Sequence, residues 1–230
     1  MPAQPLRLPI LSSKDPFPPV HLAWGDAEPI PGLLCAGADL SVARLVNAYS
    51  HGIFPWYCEG EPILWWSPDP RMVLEVADFK LHRSLRKALM QFQNNPSCAT
   101  RLDAAFPEVI ARCAHTNRAG QQGTWIVPAM QEAYIRLHEA GFAHSVETWV
   151  NGELVGGLYF TQIGRAVFGE SMFSLQTNAS KIALAALVDW CKERGITWID
   201  CQQQTAHLAS LGAAPISREA FTDKLLQEIA

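Results

Sequence analysis

The stretch HSVETWVNGELVGGLYFTQIGRAVFGESMF, residues 144–173, decides the fold. Asn151-Gly152 divides it, and Asn-Gly between two β-rich runs marks a tight hairpin, because both central residues of such a turn need positive φ. The flanking strands are His144–Val150 and Leu154–Ile163. Gly164-Arg165 turns the chain again into Ala166–Phe173, so the segment reads as a three-stranded meander.

Downstream, a helix is predicted over about 179–194, started near Asn178 and ended by Gly195. Ile196–Gln202 is a compact strand, and two short helices close the chain. Upstream, helices are predicted at about 103–115 and 128–140, the second opened by Pro128 and closed by Gly141. Residues 78–93 read as an amphipathic helix with Leu81, Leu85, Leu89 and Phe92 on one face and Lys80, His82, Arg83, Arg86 and Lys87 on the other. A first helix is capped by Asp39 or Ser41, carries Leu40, Leu45 and Ala48, and stops at Gly52. Residues 1–37 hold eight prolines, which favour an extended path over a helix. Between residues 55 and 70 lie three Trp and four Pro, a density that predicts a rigid aromatic surface outside regular structure. The composition shifts near residue 76. The expected architecture is α+β, with a small Pro- and Trp-rich N-terminal domain over 1–76 and a second domain over 77–230.

The chain of 230 residues is 49% hydrophobic and only 17% charged, a balance that builds a core and excludes a disordered chain. Its net charge of −4 gives no global attraction to nucleic acid, so a polyanion must be held by a local basic patch. The six cysteines show no CxxC spacing and none stands beside a His at ligand spacing, which argues against a zinc site and a disulfide scaffold. No signal-peptide core opens the chain, and no apolar run reaches the roughly 20 residues of a membrane span. A reducing cytoplasm, with no membrane partner, is the expected location.

Strand alternation places Glu170 on one face with Phe168 and Met172, and Asp200 on one face with Trp198 and Gln202. Acids on apolar strand faces are costly without partners. They are either site residues or buried ion-pair members, with Arg165 or Arg218 as partner. The basic segment Lys80–Lys87 is either a solvated helix face or a phosphate-binding surface. Trp56, Trp65, Trp66 and Trp125 are either core or stacking platforms. No dinucleotide, Walker, nucleophile-elbow or zinc-protease motif occurs.

The blocks GIFPW (52–56), ILWWSPDPR (63–71), GTWI (123–126), ELVGG (153–157), GESMFS (169–174), NASK (178–181) and IDCQ (199–202) together resemble the leucyl/phenylalanyl-tRNA–protein transferases. The resemblance runs in order from about Gly32 to Gly212. It implies a C-terminal domain with the fold of the GCN5-related N-acetyltransferases. It implies transfer of Leu, Phe or, less readily, Met from aminoacyl-tRNA to the N-terminal Arg or Lys of acceptor proteins, marking them for the N-degron pathway. The donor ester is already activated, so no cofactor and no metal are expected.

Carried over by motif, the resemblance makes Asp200 and Gln202 the catalytic pair, as a proton relay or as an orienting device. Glu170 reads the cationic acceptor terminus. Trp56 and Trp125 frame the aminoacyl-adenosine end, and Leu158, Met172, Leu187 and Ile199 line the amino-acid pocket, which should fit Leu or Phe and reject β-branched side chains. The basic helix becomes the tRNA surface, through Lys80, Arg83, Arg86 and Lys87. The sequence departs from the family pattern at LLCAGADL (33–40) and ends at Ala230 without a longer tail. An acyl-CoA-dependent N-acetyltransferase is the alternative; against it, Leu175–Lys181 before the helix lacks the glycines that would cradle a pyrophosphate. A non-catalytic tRNA-binding module leaves Glu170, Asp200 and Gln202 without a role.

Overall fold

In the computed structural model, residues 8–116 and 124–229 are described; the first seven residues, and Gly123 of the GTWI block, lie outside them. Strands β1 (Ile10–Leu11), β2 (Leu33–Gly37), β3 (Phe54–Pro55) and β4 (Leu64–Trp66) form a small sheet in the order β1-β2-β4-β3, with helix α1 (Val42–Ser50) between β2 and β3. The larger sheet takes β5 (Arg71–Glu75), β6 (Cys98–Leu102), β7 (Ala143–Val150), β8 (Glu153–Ile163), β9 (Ala166–Ser174), β10 (Trp198–Gln202) and β11 (Ala214–Ile216), ordered β11-β5-β10-β9-β8-β7-β6. Helices α2 (Arg83–Gln93), α3 (Phe106–Ala114), α4 (Pro128–Glu139), α5 (Ala179–Glu193), α6 (Ala206–Ser210) and α7 (Arg218–Glu228) complete the α+β arrangement.

The meander forms as its turns dictate: Asn151 and Gly152 both take positive φ, 52° and 79°, and β7, β8 and β9 pair antiparallel. Capping sets the helix starts. Ser41, not Asp39, caps α1 by accepting from the Arg44 N–H at 3.3 Å, while Asp39 accepts from Ser41 N–H. Ser217 and Thr205 do the same for α7 and α6.

Several expectations are corrected. The proline-rich start contains a buried strand, β2, and a 3-10 turn at Val20–Leu22. The Trp/Pro segment is a sheet rather than irregular chain: Phe54 pairs with Trp66 and Pro55 with Trp65. Trp65 and Trp66 are core residues whose indoles donate to the Gly37 and Trp56 carbonyls. The amphipathic segment is helical only from Arg83; a 3-10 turn at Val76–Asp78 precedes it, and Lys80 lies outside α2. Strands β6 and β11 are additional to the expected elements, and β10 begins at Trp198 rather than Ile196.

Two apolar layers cover the larger sheet. On one face α5 packs Ala183, Leu184, Leu187 and Val188 against Leu74, Leu158, Val167 and Ile199. On the other, Tyr49 of α1, Tyr134 of α4 and Phe221 of α7 join Trp65, Phe168 and Trp198 in a core shared with the small sheet. Gly156 permits the close seat of α5, since any Cβ there would run into Ala179.

Candidate active site

β9 and β10 are parallel neighbours joined by the crossover helix α5, and they pair only at Val167–Ile199 and Phe168–Asp200. Past that point both strands bulge. In β9, Gly169 pairs with Phe160 and Ser171 with Tyr159, leaving Glu170 as the extra residue. In β10, Asp200 pairs with Val73 and Gln202 with Met72, leaving Cys201 extra. A bulge re-aims the side chains that follow it. Phe168 and Met172 accordingly fall in opposite core layers, which corrects their expected shared face.

A cavity of about 530 Å3 occupies the gap where the strands part. Trp56 and Trp125, with Phe54, make its aromatic side, and Leu158, Met172, Leu187 and Ile199, with Leu184, make its apolar floor. Glu170 and Gln202 face the same space, as do Gln203, Thr205 and His207. The six residues expected to bind substrate therefore line one cavity.

Glu170 is held from four elements, α1, α4, β8 and β10. The Tyr49 hydroxyl donates to its Oε1 at 2.6 Å and also hydrogen-bonds the Tyr134 hydroxyl, which reaches Oε2 at 3.5 Å. Thr161 Oγ1 donates to Oε1 at 3.3 Å, and Gln202 Nε2 to Oε2 at 3.3 Å. Burial is the largest influence on Glu170 and, with the nearby Asp200 charge, raises its pKa to about 7 against the opposing pull of the Tyr49, Gln202 and Thr161 donors. Burial and the Glu170 charge push both tyrosines well above the ordinary phenol value, so they remain donors.

Asp200 is placed differently from the expectation. It is fully buried and bound bidentately by the equally buried Arg71, Nε to Oδ1 at 2.9 Å and Nη2 to Oδ2 at 2.6 Å. Arg71 is neither of the two arginines expected as partners: Arg165 pairs with Glu228, and Arg218 donates to the Val20 carbonyl. The Arg71 guanidinium also donates to the Gly52 carbonyl and lies over the Phe54 and Phe221 rings at 4.8 and 4.5 Å. Asp200 Oδ1 accepts a further bond from the Gln202 N–H at 2.8 Å, which helps hold Gln202 at φ +61°. Of the expected pair, Gln202 lines the cavity and Asp200 stands behind it.

Tyr49, Tyr134 and Arg71 join the site without having been expected there. Tyr49 had a signal: it lies four residues beyond Leu45 on the buried side of α1, and a buried tyrosine hydroxyl needs a partner. Cys201 also lines the cavity, with its thiol pushed up to about 12 by burial, which keeps it protonated. Lys80, Arg83, Arg86 and Lys87 are all exposed, and none of them belongs to an ion pair among the described residues. They lie outside the cavity lining.

Comparison with known proteins bears on this arrangement. The family model described as leucyl/phenylalanyl-tRNA protein transferase matches residues 73–226, and the model of that family's N-terminal domain matches 38–69. A leucyl/phenylalanyl-tRNA–protein transferase of Polaromonas sp. (strain JS666 / ATCC BAA-500) is 60% identical over 98% of this chain and 88% of its own length. One of Albidiferax ferrireducens is 57% identical over 100% of this chain and 91% of its own. Among solved structures, a GCN5-related N-acetyltransferase from Kribbella flavida is similar at a TM-score of 0.37 and 13% identity, over 74% of this chain and 59% of that one, a likeness too loose to carry an argument. With both family models matched in order and relatives at this identity along nearly the whole length, the chain belongs to the leucyl/phenylalanyl-tRNA–protein transferase family.

Proposed function

We propose that the cavity receives the aminoacyl-adenosine end of Leu-tRNA or Phe-tRNA, and less readily Met-tRNA. The enzyme then passes the amino acid to the N-terminal Arg or Lys of an acceptor protein, tagging it for the N-degron pathway in the cytoplasm. One observation carries this reading: an apolar floor, two indoles, a carboxylate and a carboxamide converge on one space where the sheet opens.

The chemistry is ester aminolysis. The acceptor's α-amino nitrogen forms a bond to the aminoacyl carbonyl carbon, the bond to the ribose 3′ oxygen breaks, and that oxygen leaves with a proton derived from the amine. The donor ester is activated, so the reaction runs downhill. An α-amino group with a reference pKa of about 7.7 is partly neutral at physiological pH. Positioning the two reactants can supply up to ~11 kcal/mol of the acceleration.

Glu170, with its pKa near 7, suits holding the acceptor amine and taking up its proton. Gln202 orients the reacting groups through its carboxamide. Asp200 is a positioning residue, acting through the Gln202 backbone and Arg71. Exposed Lys80, Arg83, Arg86 and Lys87 serve the acceptor stem of the tRNA.

The test is transfer of labelled phenylalanine from Phe-tRNA to a protein beginning with Arg. Absence of transfer defeats the proposal, and binding without transfer favours a tRNA-binding module. An Ile-tRNA arm tests the floor of the pocket: turnover comparable with Leu-tRNA would sink the exclusion of β-branched side chains.

A further inference from the structure

We propose that Gly169 determines how long a donor side chain the cavity takes, the space left by its missing side chain receiving the far end of the phenylalanine ring. The inference rests on the proposed function and names the residue of that site that admits Phe alongside Leu.

Gly169 lines the cavity, and its place in the sheet puts it at the closed end. Strands β9 and β10 still pair at Phe168–Asp200, and Gly169 is the next residue, so the gap between the strands opens beside it. The bulge in β9 begins only at Glu170, so Gly169 shares a face of the strand with Val167. Val167 belongs to the layer under α5, with Leu158, Leu187 and Ile199. A side chain at 169 would therefore enter the apolar floor and not the tyrosine side of the sheet. A benzyl side chain reaches further from its Cα than an isobutyl one, so Phe is the donor that extends to this end.

Nothing else in the fold asks for glycine here. Gly156 must be bare because a Cβ would stand 2.4 Å from the Ala179 Cβ, and at Gly157 one would stand 3.0 Å from the Val146 carbonyl oxygen. A Cβ on Gly169 would stand 3.5 Å from the Asp200 carbonyl oxygen and 3.7 Å from Ile199 Cγ2, both ordinary van der Waals distances. No other heavy atom of the described residues, its chain neighbours aside, would lie within 4 Å of it. Nor does Gly169 take a positive φ. A glycine in a strand interior is unfavourable for conformational entropy, and it commonly marks close approach of a ligand. With packing and backbone conformation both satisfied by alanine, the room in the floor is what the glycine supplies.

The test measures transfer by the full chain from Phe-tRNA and from Leu-tRNA to one protein beginning with Arg, read as the ratio of the two kcat/KM values. Gly169→Ala is expected to lower Phe relative to Leu by about tenfold, the discrimination that one methylene provides in an apolar pocket. Gly169→Ser, of nearly the same size, is expected to shift the ratio in the same direction. Glu170 is the next residue, and a disturbance of its carboxylate slows both donors alike, so an unchanged ratio overturns the inference. Loss of both transfers in both variants also overturns it, because the glycine would then serve the fold or Glu170. A wild type that transfers neither amino acid is a different result, since it overturns the proposed function itself.

Discussion

Glu170 and Asp200 are both acids on bulged strands, yet their surroundings give them opposite tasks. Glu170 borders a cavity with no cation among its hydrogen-bond partners, so burial, aided by the Asp200 charge, holds its proton until pH rises to about 7. Its folded-state pKa lies above the ordinary carboxyl value of 4.5. The native state therefore binds that proton more tightly than the unfolded chain, and the resulting stabilisation is complete below about pH 4.5 and lost as pH climbs through 7. Glu170→Gln carries no such dependence. It should be more stable than the wild type at pH 8, by up to ~3 kcal/mol, with the gap closing near pH 5. The same variant should lose about a hundredfold in transfer, together with the inflection near pH 7 in kcat/KM. Urea unfolding at the two pH values and a pH–rate profile check both halves, and equal stability at pH 8 would contradict the buried charge. Asp200 instead neutralises Arg71 in a site closed to water. Asp200→Ala strands that guanidinium and should cost about 3–5 kcal/mol. An Arg71→Met, Asp200→Leu double variant should recover most of the stability while staying inactive, because Gln202 has lost its anchor. Recovery of transfer in the double variant would remove Asp200 from the mechanism.

At the scale of elements, the meander, α1, α4 and α5 are legible in the sequence because their signals are local: a turn that needs positive φ, a capping serine, a proline at the first helical position, a glycine stop. What escapes a sequence reading is set by tertiary pairing. Edge strands β6 and β11 have no alternation of their own and exist because β7 and β5 offer them partners. The bulges at Glu170 and Cys201 break the period of two on which face assignment relies, so strict alternation puts Met172 on the wrong side of its strand relative to Phe168. The motif blocks are indifferent to the bulge, and the substrate-binding residues taken from them still converge on the cavity. The basic segment shows the limit of periodicity in another way: its apolar repeat extends upstream to Leu81, but the chain before Arg83 is held by bonds to α6 and the residue after it rather than by helical ones. The helical part, with Arg83, Arg86 and Lys87 exposed, still makes a prediction. Reversing Arg83 and Arg86 to Glu should raise the KM for aminoacyl-tRNA and flatten its dependence on salt, by about 0.7–0.9 in logarithmic slope for each phosphate the helix ceases to neutralise. An unchanged KM would mean that this helix face only meets solvent.

On the scale of the molecule, the site depends on the two sheets meeting. Tyr49, which holds Glu170, comes from α1 beside the small sheet, while Tyr134 and Thr161 come from α4 and β8. Arg71, which holds Asp200, also bonds the Gly52 carbonyl and lies against Phe54 and Phe221. Gly52 itself must lack a side chain, since a Cβ there would press on the Phe221 ring at 2.9 Å. One continuous apolar core runs from Trp65 and Trp66 through Tyr49 and Phe168 to Trp198 and Phe221. Neither sheet can lose its partner without exposing large aromatic surfaces and unpairing the tyrosines around Glu170. Separate unfolding of the N-terminal region would therefore cost much of what global unfolding costs, and the chain should unfold in one cooperative step. Tryptophan fluorescence, which reports Trp65 and Trp66 in the small sheet and Trp198 in the large one, should give the same urea midpoint as far-UV circular dichroism, and activity should vanish over the same range. A fluorescence transition that precedes the loss of secondary structure would show that the small sheet can leave while the large one stays folded. In that event Phe54 and Trp56 would form a separable part of the cavity wall, and the shared core would not be what holds Glu170 in place.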